Sequence, residues 1–172
     1  MFPAETARLR FREMTEADLD AMAALLSDPV VMTYYPAPKT RDEAAGWIAW
    51  NQRNYAEHGY GLWIIETHAG EFLGDCGLTW QRVNDTRRLE VGYHVRADRQ
   101  RLGYATEAAA ACRDLARDVL GSPELVAIID PRNTASLRVA EKIGMSHVDD
   151  DSTGSVPRRT VMGMSFAADL DR

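Results

Sequence analysis

Cysteine, lysine and long apolar runs are all scarce in this chain. Only two cysteines occur, Cys76 and Cys112. Each sits in an apolar stretch, as a reduced core thiol does, and no zinc pattern can be built from two cysteines, so no metal is expected. No apolar run approaches the roughly 20 residues that span a bilayer. The start, Met1-Phe2-Pro3-Ala4-Glu5, lacks the basic-then-apolar profile of a signal peptide. These absences lead to the expectation of a cytoplasmic protein with no membrane partner. Positive charge is also in deficit. Lys plus Arg total 20 against 26 Asp plus Glu, a formal charge of −6. That balance argues against sequence-independent binding to nucleic acid or an anionic surface. Of the basic residues only Lys39 and Lys142 are lysine. Internal repeats, low-complexity tracts and interdomain linkers are absent from the pattern. The 172 residues, 45% of them hydrophobic, suit a single domain spanning 1–172.

What is present is an ordered series of periodic segments. Residues 8–12 alternate polar and apolar, as a half-buried strand does. Thr15 starts a helix whose apolar face is Leu19, Met22, Ala23 and Leu26. Pro29, Pro36 and Pro38 break up residues 29–39 into a loop that carries Tyr34 and Tyr35. Thr40 and Glu43 form a capping box for a second helix, which Gly59 ends. Strands follow over 62–66 and 72–79, joined through His68-Ala69-Gly70 as a hairpin. Residues 81–88 read as a loop before a strand over 89–95. In that strand Leu89, Val91, Tyr93 and Val95 share one face, and Glu90, Gly92 and His94 the other. A basic turn, 99–104, runs into a helix with a long apolar stripe that Gly121 and Pro123 stop. A strand over 125–129, a helix over 133–143 and two strands near 145–148 and 160–166 complete the series, with 149–159 as a loop between the last two. The order implies a mixed sheet, antiparallel in its first half, with helices on its faces.

The turn from Arg99 to Tyr104 carries chemistry. Gly103 has no Cβ and lets a ligand approach the backbone closely. The helix after it presents unpaired N–H groups and a positive dipole end, a setting that suits phosphate. Arg99 and Arg101 add charge. These features fit a pyrophosphate site and equally an ordinary strand-to-helix turn with a solvated basic face. The turn is neither a Walker loop nor a three-glycine dinucleotide fingerprint.

Gln100-Arg101-Leu102-Gly103-Tyr104-Ala105 resembles the Gln/Arg-x-x-Gly-x-Gly/Ala turn of the GNAT N-acetyltransferase superfamily. It follows Val91-Gly92-Tyr93-His94-Val95, as that turn follows the superfamily's fourth strand. It precedes Thr106-Glu107-Ala108, similar to the branch that acetylates ribosomal-protein N-termini. Asn133-x-x-Ser136 and Glu141-Lys142-Ile143-Gly144-Met145 resemble the Asn-x-x-Ser and Glu-Lys-x-Gly-Phe runs of the same branch, with Met145 in place of Phe. The resemblance covers nearly the whole chain. It implies an α/β fold with a mostly antiparallel six- to seven-stranded sheet, about four helices on its faces, and a splay between strands four and five.

The resemblance also implies acetyl-CoA as co-substrate, with a primary amine as acceptor. The pantetheine arm would pair with the backbone near His94, Val95 and Arg96. The pyrophosphate would sit on the N–H groups of Arg101, Leu102, Gly103, Tyr104, Ala105 and Thr106. Asn133 would reach the pantetheine, although Asn is also an excellent helix N-cap. An ammonium must lose a proton before it can attack. Glu90, an acid inside an apolar strand, is the favoured base, against the alternative that it pairs with an Arg of the first strand. His94 is the second candidate. Many superfamily members carry a tyrosine acid seven residues after the Asn; here that position is Ala140, and Ser136 is the hydroxyl that could serve the leaving thiolate. Tyr34, Tyr35, Trp80 and Asp85 are candidate acceptor contacts, while Trp47 reads as packing. The branch motifs favour a protein N-terminal amine. A small-molecule amine and a catalytically silent acetyl-CoA sensor are the alternatives, and a homodimer is compatible with the resemblance.

Overall fold

The computed structural model describes residues 1–153 and 157–166. Seven strands form one sheet: β1 (Leu9–Arg12), β2 (Leu62–Thr67), β3 (Phe72–Val83), β4 (Thr86–Val95), β5 (Glu124–Ile129), β6 (Ser146–Asp151) and β7 (Arg159–Ser165). Four helices accompany them: α1 (Leu19–Ser27), α2 (Arg41–His58), α3 (Tyr104–Asp118) and α4 (Thr134–Lys142). The strand order is β1-β2-β3-β4-β5-β7-β6. Every neighbouring pair is antiparallel except β4 and β5, which run parallel. A parallel neighbour needs a crossover, and α3 supplies it.

Local chemistry sets most boundaries. The Thr40 hydroxyl accepts from the Glu43 N–H, the Glu43 carboxylate accepts from the Thr40 N–H at 2.7 Å, and Gly59 closes α2 at φ 80°. The first helix differs slightly from its sequence pattern. Residues 16–18 form a 3-10 turn, and α1 proper begins at Leu19. The Asp18 carboxylate takes the Thr15 N–H at 2.8 Å and also binds Arg12, which ties the start of this helix to β1.

Two expected loops are largely strand. Residues 81–88 continue β3 and β4 as one long hairpin that turns at Asn84 and Asp85, both at positive φ, 45° and 67°. Two consecutive left-handed residues make the tight turn whose twist matches a hairpin, and Asn-Asp is a pair that tolerates it. Of the 149–159 loop, Asp149–Asp151 belong to β6 and Arg159 begins β7; residues 154–156 lie outside the described residues. Polar pairing explains the extension. Asp151 accepts from the Asn84 N–H, the Thr153 hydroxyl and Arg159, so the acidic run is paired and not solvated.

α2 is anchored by its polar face as much as by its apolar one. Buried Asn51 accepts the Leu62 N–H at 2.8 Å and donates to the Trp47 carbonyl at 3.0 Å. The Tyr55 hydroxyl donates to the Leu62 carbonyl and accepts the Met14 N–H. Both bonds fix α2 at the point where β2 starts. Fully buried Trp63, Ile64, Ile65, Leu73 and Leu78 then fill the layer between helices and sheet. β2 and β3 approach so closely there that a Cβ on Gly77 would lie 1.9 Å from the Gly61 carbonyl oxygen. Gly77→Ala is therefore expected to cost about 3 kcal/mol or to prevent folding. A fall in the urea midpoint at unchanged m-value checks it.

Candidate functional site

β4 assembles the site. Its ladder to β3 runs unbroken from Thr86 opposite Val83 to Val95 opposite Gly74. Its contact with β5 is confined to Glu90 opposite Val126. Elsewhere the two strands part, and a cleft of about 530 Å³ passes between them. On the α2 face it is lined by Tyr35, Trp47, Trp50, Thr79, Glu90 and His94, and toward α4 by Tyr93, Asn133 and Ser136. Two reactants can therefore enter from opposite faces of one sheet.

Glu90 stands where the strands divide. Its Oε2 accepts the Ile128 N–H at 3.2 Å, a bond that would otherwise go to β4 backbone. Burial pushes its carboxyl up to about 7, and the Ile128 N–H and the charge of Arg159 only partly oppose this. It does not pair with an arginine of the first strand. Arg10 and Arg12 both go to Glu66 instead, at 2.6 and 3.1 Å.

A polar chain crosses the α2 side of the cleft. The Trp47 indole N–H donates to Asp75 Oδ2 at 3.0 Å. Asp75 Oδ1 meets His94 Nδ1 at 2.7 Å, and His94 Nε2 meets the Tyr35 hydroxyl at 2.7 Å. Asp75 is fully buried and His94 is 7% exposed. Asp75 escaped the sequence reading because one acid within Leu73-Gly74-Asp75-Cys76 has no period or motif to mark it; only the register that places it opposite His94 does. Trp47 packs as expected and is also a donor.

Around α4 two readings coexist. Asn133 caps the helix, its Oδ1 accepting the Ser136 N–H at 3.1 Å, while its Nδ2 lines the cleft with no bond among the described residues. Ala140 is fully buried, where the superfamily tyrosine is absent. A tyrosine hydroxyl does reach this point from β4: Tyr93 donates to the Ser136 carbonyl at 3.0 Å.

The basic turn lies beside the cleft and does not line it. Gly103 is left-handed at φ 84° and precedes α3. The Glu107 N–H is the first taken up inside the helix, by the Gly103 carbonyl, so those of Tyr104, Ala105 and Thr106 stand at its open end. Arg101 is also left-handed, at φ 62°. Arg8, which the sequence reading missed, braces the turn: it binds the Leu102 carbonyl and Glu107 and lies 4.4 Å over the Tyr104 ring. Arg96 and Arg99 are largely neutralised, by Asp98 and Glu71 respectively. Of His94, Val95 and Arg96, only Val95 turns its backbone N–H toward the splay, because the Arg96 N–H donates back to Leu73 and strand alternation fixes the rest. The Val95 carbonyl is already taken by the Gln100 side chain.

Two candidate acceptor residues fall elsewhere. Trp80 lies on the opposite face of β3 from Thr79 and Gln81, with its N–H on the Tyr60 hydroxyl and Arg87 over its ring. Asp85 is at the hairpin tip beside Arg82. Tyr34 and Tyr35 do line the cleft. Among the described residues no cluster of His, Cys, Asp and Glu could hold a metal, and no helix is long and apolar enough to cross a membrane.

A seven-stranded mixed sheet split at its one parallel pair, with a left-handed glycine opening the crossover helix, is the architecture of an acetyl-CoA-dependent N-acetyltransferase. The chain belongs to the GNAT acetyltransferase family: the model of the Acetyltransferase (GNAT) domain matches residues 8–146. It is 43% identical over 144 residues to YkkB of Bacillus subtilis, covering 83% of this chain and 84% of that protein. Among solved structures it is similar to the acetyltransferase from Agrobacterium tumefaciens, with a TM-score of 0.80, 29% identity, and 94% and 92% of the two chains covered. The ribosomal L7/L12 α-N-protein acetyltransferase RimL, in complex with coenzyme A, shares the fold at TM-score 0.76 and 15% identity over 98% and 100% of the chains.

The position of Glu90 has a measurable cost. Its folded value lies above its ordinary 4.5, so the folded state binds the proton more tightly. The resulting stability is fully present below about pH 4.5 and is lost as pH rises through about 7. Glu90→Gln keeps an acceptor for Ile128 and carries no charge. It is expected to be more stable than the natural protein at pH 8, by up to about 3 kcal/mol, and equal to it at pH 4. Urea denaturation at the two pH values checks this.

Proposed function

We propose that this acetyltransferase acetylates a single primary amine, a protein N-terminus of the ribosomal-protein type, with Glu90 as general base. The observation that carries the reading is the Glu90 carboxyl at the division of β4 and β5, facing the cleft and held near neutrality by burial. A base of that strength can accept an ammonium proton near neutral pH. The acceptor side of the cleft is aromatic, with Tyr35, Trp47 and Trp50, and Asp130 at its rim is already bound to Arg132. One free carboxyl suits one ammonium. A polyamine would need several acids spaced along its length.

The residues present fit acetyl-CoA. The open N–H groups of Tyr104, Ala105 and Thr106 and the missing Cβ of Gly103 suit a pyrophosphate, and Arg101, exposed with no ion pair among the described residues, adds charge. Leu102 contributes only its backbone, because its carbonyl is held by Arg8. Asn133 Nδ2 and the Val95 N–H face the route a pantetheine arm would take through the splay. When bound, acetyl-CoA supplies the acetyl group as a thioester. Glu90 receives a proton from the amine, and the hydroxyls of Ser136 and Tyr93 stand toward the side where the thiol leaves. The Gly103–Ala108 run and the Asn133–Ser136 pair support the N-terminal amine over a small molecule, through their resemblance to the ribosomal-protein branch.

A thiol-release assay over N-terminal peptides, amino acids, alkylamines and polyamines tests the acceptor. Peptides are expected to have the highest kcat/KM; a preference for a small amine overturns the N-terminal reading. Silence across the panel with tight acetyl-CoA binding marks a sensor. Glu90→Gln is expected to lower kcat by about 100-fold or more while the acetyl-CoA Kd stays within about twofold. Gly103→Val is expected to weaken acetyl-CoA binding by calorimetry, because a side chain there would strain a left-handed residue and press on the Arg8 guanidinium that braces the turn, 3.2 Å from an added Cβ.

A further inference from the structure

The hydrogen bonds that join Tyr35, His94, Asp75 and Trp47 have no part in the reading given so far. Their directions of donation follow once the imidazole is taken as neutral. The Trp47 indole can only donate, so Asp75 Oδ2 accepts. The second oxygen of that carboxylate meets His94 Nδ1 at 2.7 Å, which places the proton on Nδ1. In a neutral imidazole Nε2 is then bare and accepts, so the Tyr35 hydroxyl donates to it at 2.7 Å. The Tyr35 oxygen is left with lone pairs and a place on the cleft wall, which is where an acceptor ammonium would seek them.

The segment that carries Tyr35 bridges the cleft. The Tyr34 ring lies 5.8 Å from the guanidinium of Arg132, beyond β5, while Tyr35 reaches β4. Glu90 and His94 project from the same face of β4. An ammonium loses two protons on the way to an amide, one before attack and one with it. A single carboxyl can hold one of them at a time.

We propose that Tyr35 is a catalytic residue that takes the first proton of the bound ammonium and passes its own to His94, with Asp75 as the positioning residue that fixes the imidazole. The N–H bond of the ammonium breaks as a bond to Tyr35 Oη forms, and the Tyr35 O–H proton moves to His94 Nε2. Tyr35 is neutral before and after, and the imidazolium is held against Asp75. Glu90 takes the second proton as the N–C bond forms and the C–S bond breaks. The thiol leaves with one proton and the other returns to water from His94. Besides Asp75 and Tyr35, Glu90 faces His94 from the same side of β4 and Lys39 lies 5.3 Å over the Trp47 ring; Tyr93 on the other side of β4, Arg159 of β7 and Asp130 after β5 line the same cleft.

This relay rests on acetyl transfer at Glu90, and its test separates the two. With peptide and acetyl-CoA saturating, Tyr35→Phe is expected to lower kcat about 10- to 100-fold and to leave the acetyl-CoA Kd within about twofold. In mixtures of light and heavy water, kcat of the natural protein is expected to fall along a curve, because the ammonium and tyrosine protons move together, and kcat of Tyr35→Phe along a straight line. Asp75→Asn reverses the imidazole tautomer and is expected to do the same; Tyr35→Phe decides the matter if that buried substitution does not fold. A straight line for the natural protein, an unchanged kcat in Tyr35→Phe, or a lowered kcat with the curve retained overturns the relay alone. A natural protein that acetylates no amine overturns acetyl transfer as well.

Discussion

The Ile128 N–H donates to a side chain, Glu90, and not to the backbone of β4. Much of the site follows from that bond. A parallel pair needs a continuous set of slanted bonds, and here it is reduced to one register point, Glu90 opposite Val126. The strands are free to part on either side of it. A buried strand N–H without an acceptor would be costly, so the glutamate both opens the sheet and satisfies the group the opening exposes. The same placement leaves its carboxyl half-buried on the cleft wall, with little water around it, and moves its proton affinity toward neutrality. Local instability and base strength have one origin.

The α2 side answers with rigidity. Asn51 and Tyr55 fix the helix to Leu62, which sets where Trp47 meets the sheet. Trp47 then holds Asp75, and Asp75 holds His94. Each buried polar atom in this series has a partner, the condition under which such a network orders a site and does not weaken it. The Pro-containing segment before α2 is tied in through Tyr35, so the wall of the cleft that has the fewest backbone bonds is held by a side chain.

At the turn before α3 the charge has a different distribution from the one its arginines suggest. Arg96 and Arg99 are matched by Asp98 and Glu71, and the remaining positive character comes from Arg101 and the open N–H groups of the helix. Glu107 balances Arg8 and also takes the Thr6 hydroxyl, which joins the amino-terminal arm to the helix that carries the turn. An open helix end offers N–H groups to an anion without drawing on free arginines.

Periodicity was enough to place β1, α2, β4, α3 and α4, because each has a one-sided apolar pattern with a cap or breaker at its end. The Gly103 turn and the Asn133 cap were equally legible, since both depend on bonds within a few residues of chain. The hairpin at Asn84-Asp85 was readable in principle, but Val83 is the one apolar residue in 81–88, and the segment read as a loop. Glu90 could be singled out as an acid in an apolar strand, but whether it met an arginine or a bare N–H depended on Arg10 and Arg12 finding Glu66 and on β5 arriving beside β4. Asp75, Arg8, the bond from the Trp47 indole and the bond between Tyr35 and His94 were not legible, because the partners lie tens of residues apart and carry no local signal. What the sequence by itself determined is most of the elements and the glycine turn before α3, which arise from short-range bonds and periodic burial. What only the tertiary structure decided is which side chains share the cleft, because strand register and the split between β4 and β5 are settled by contacts distant in sequence.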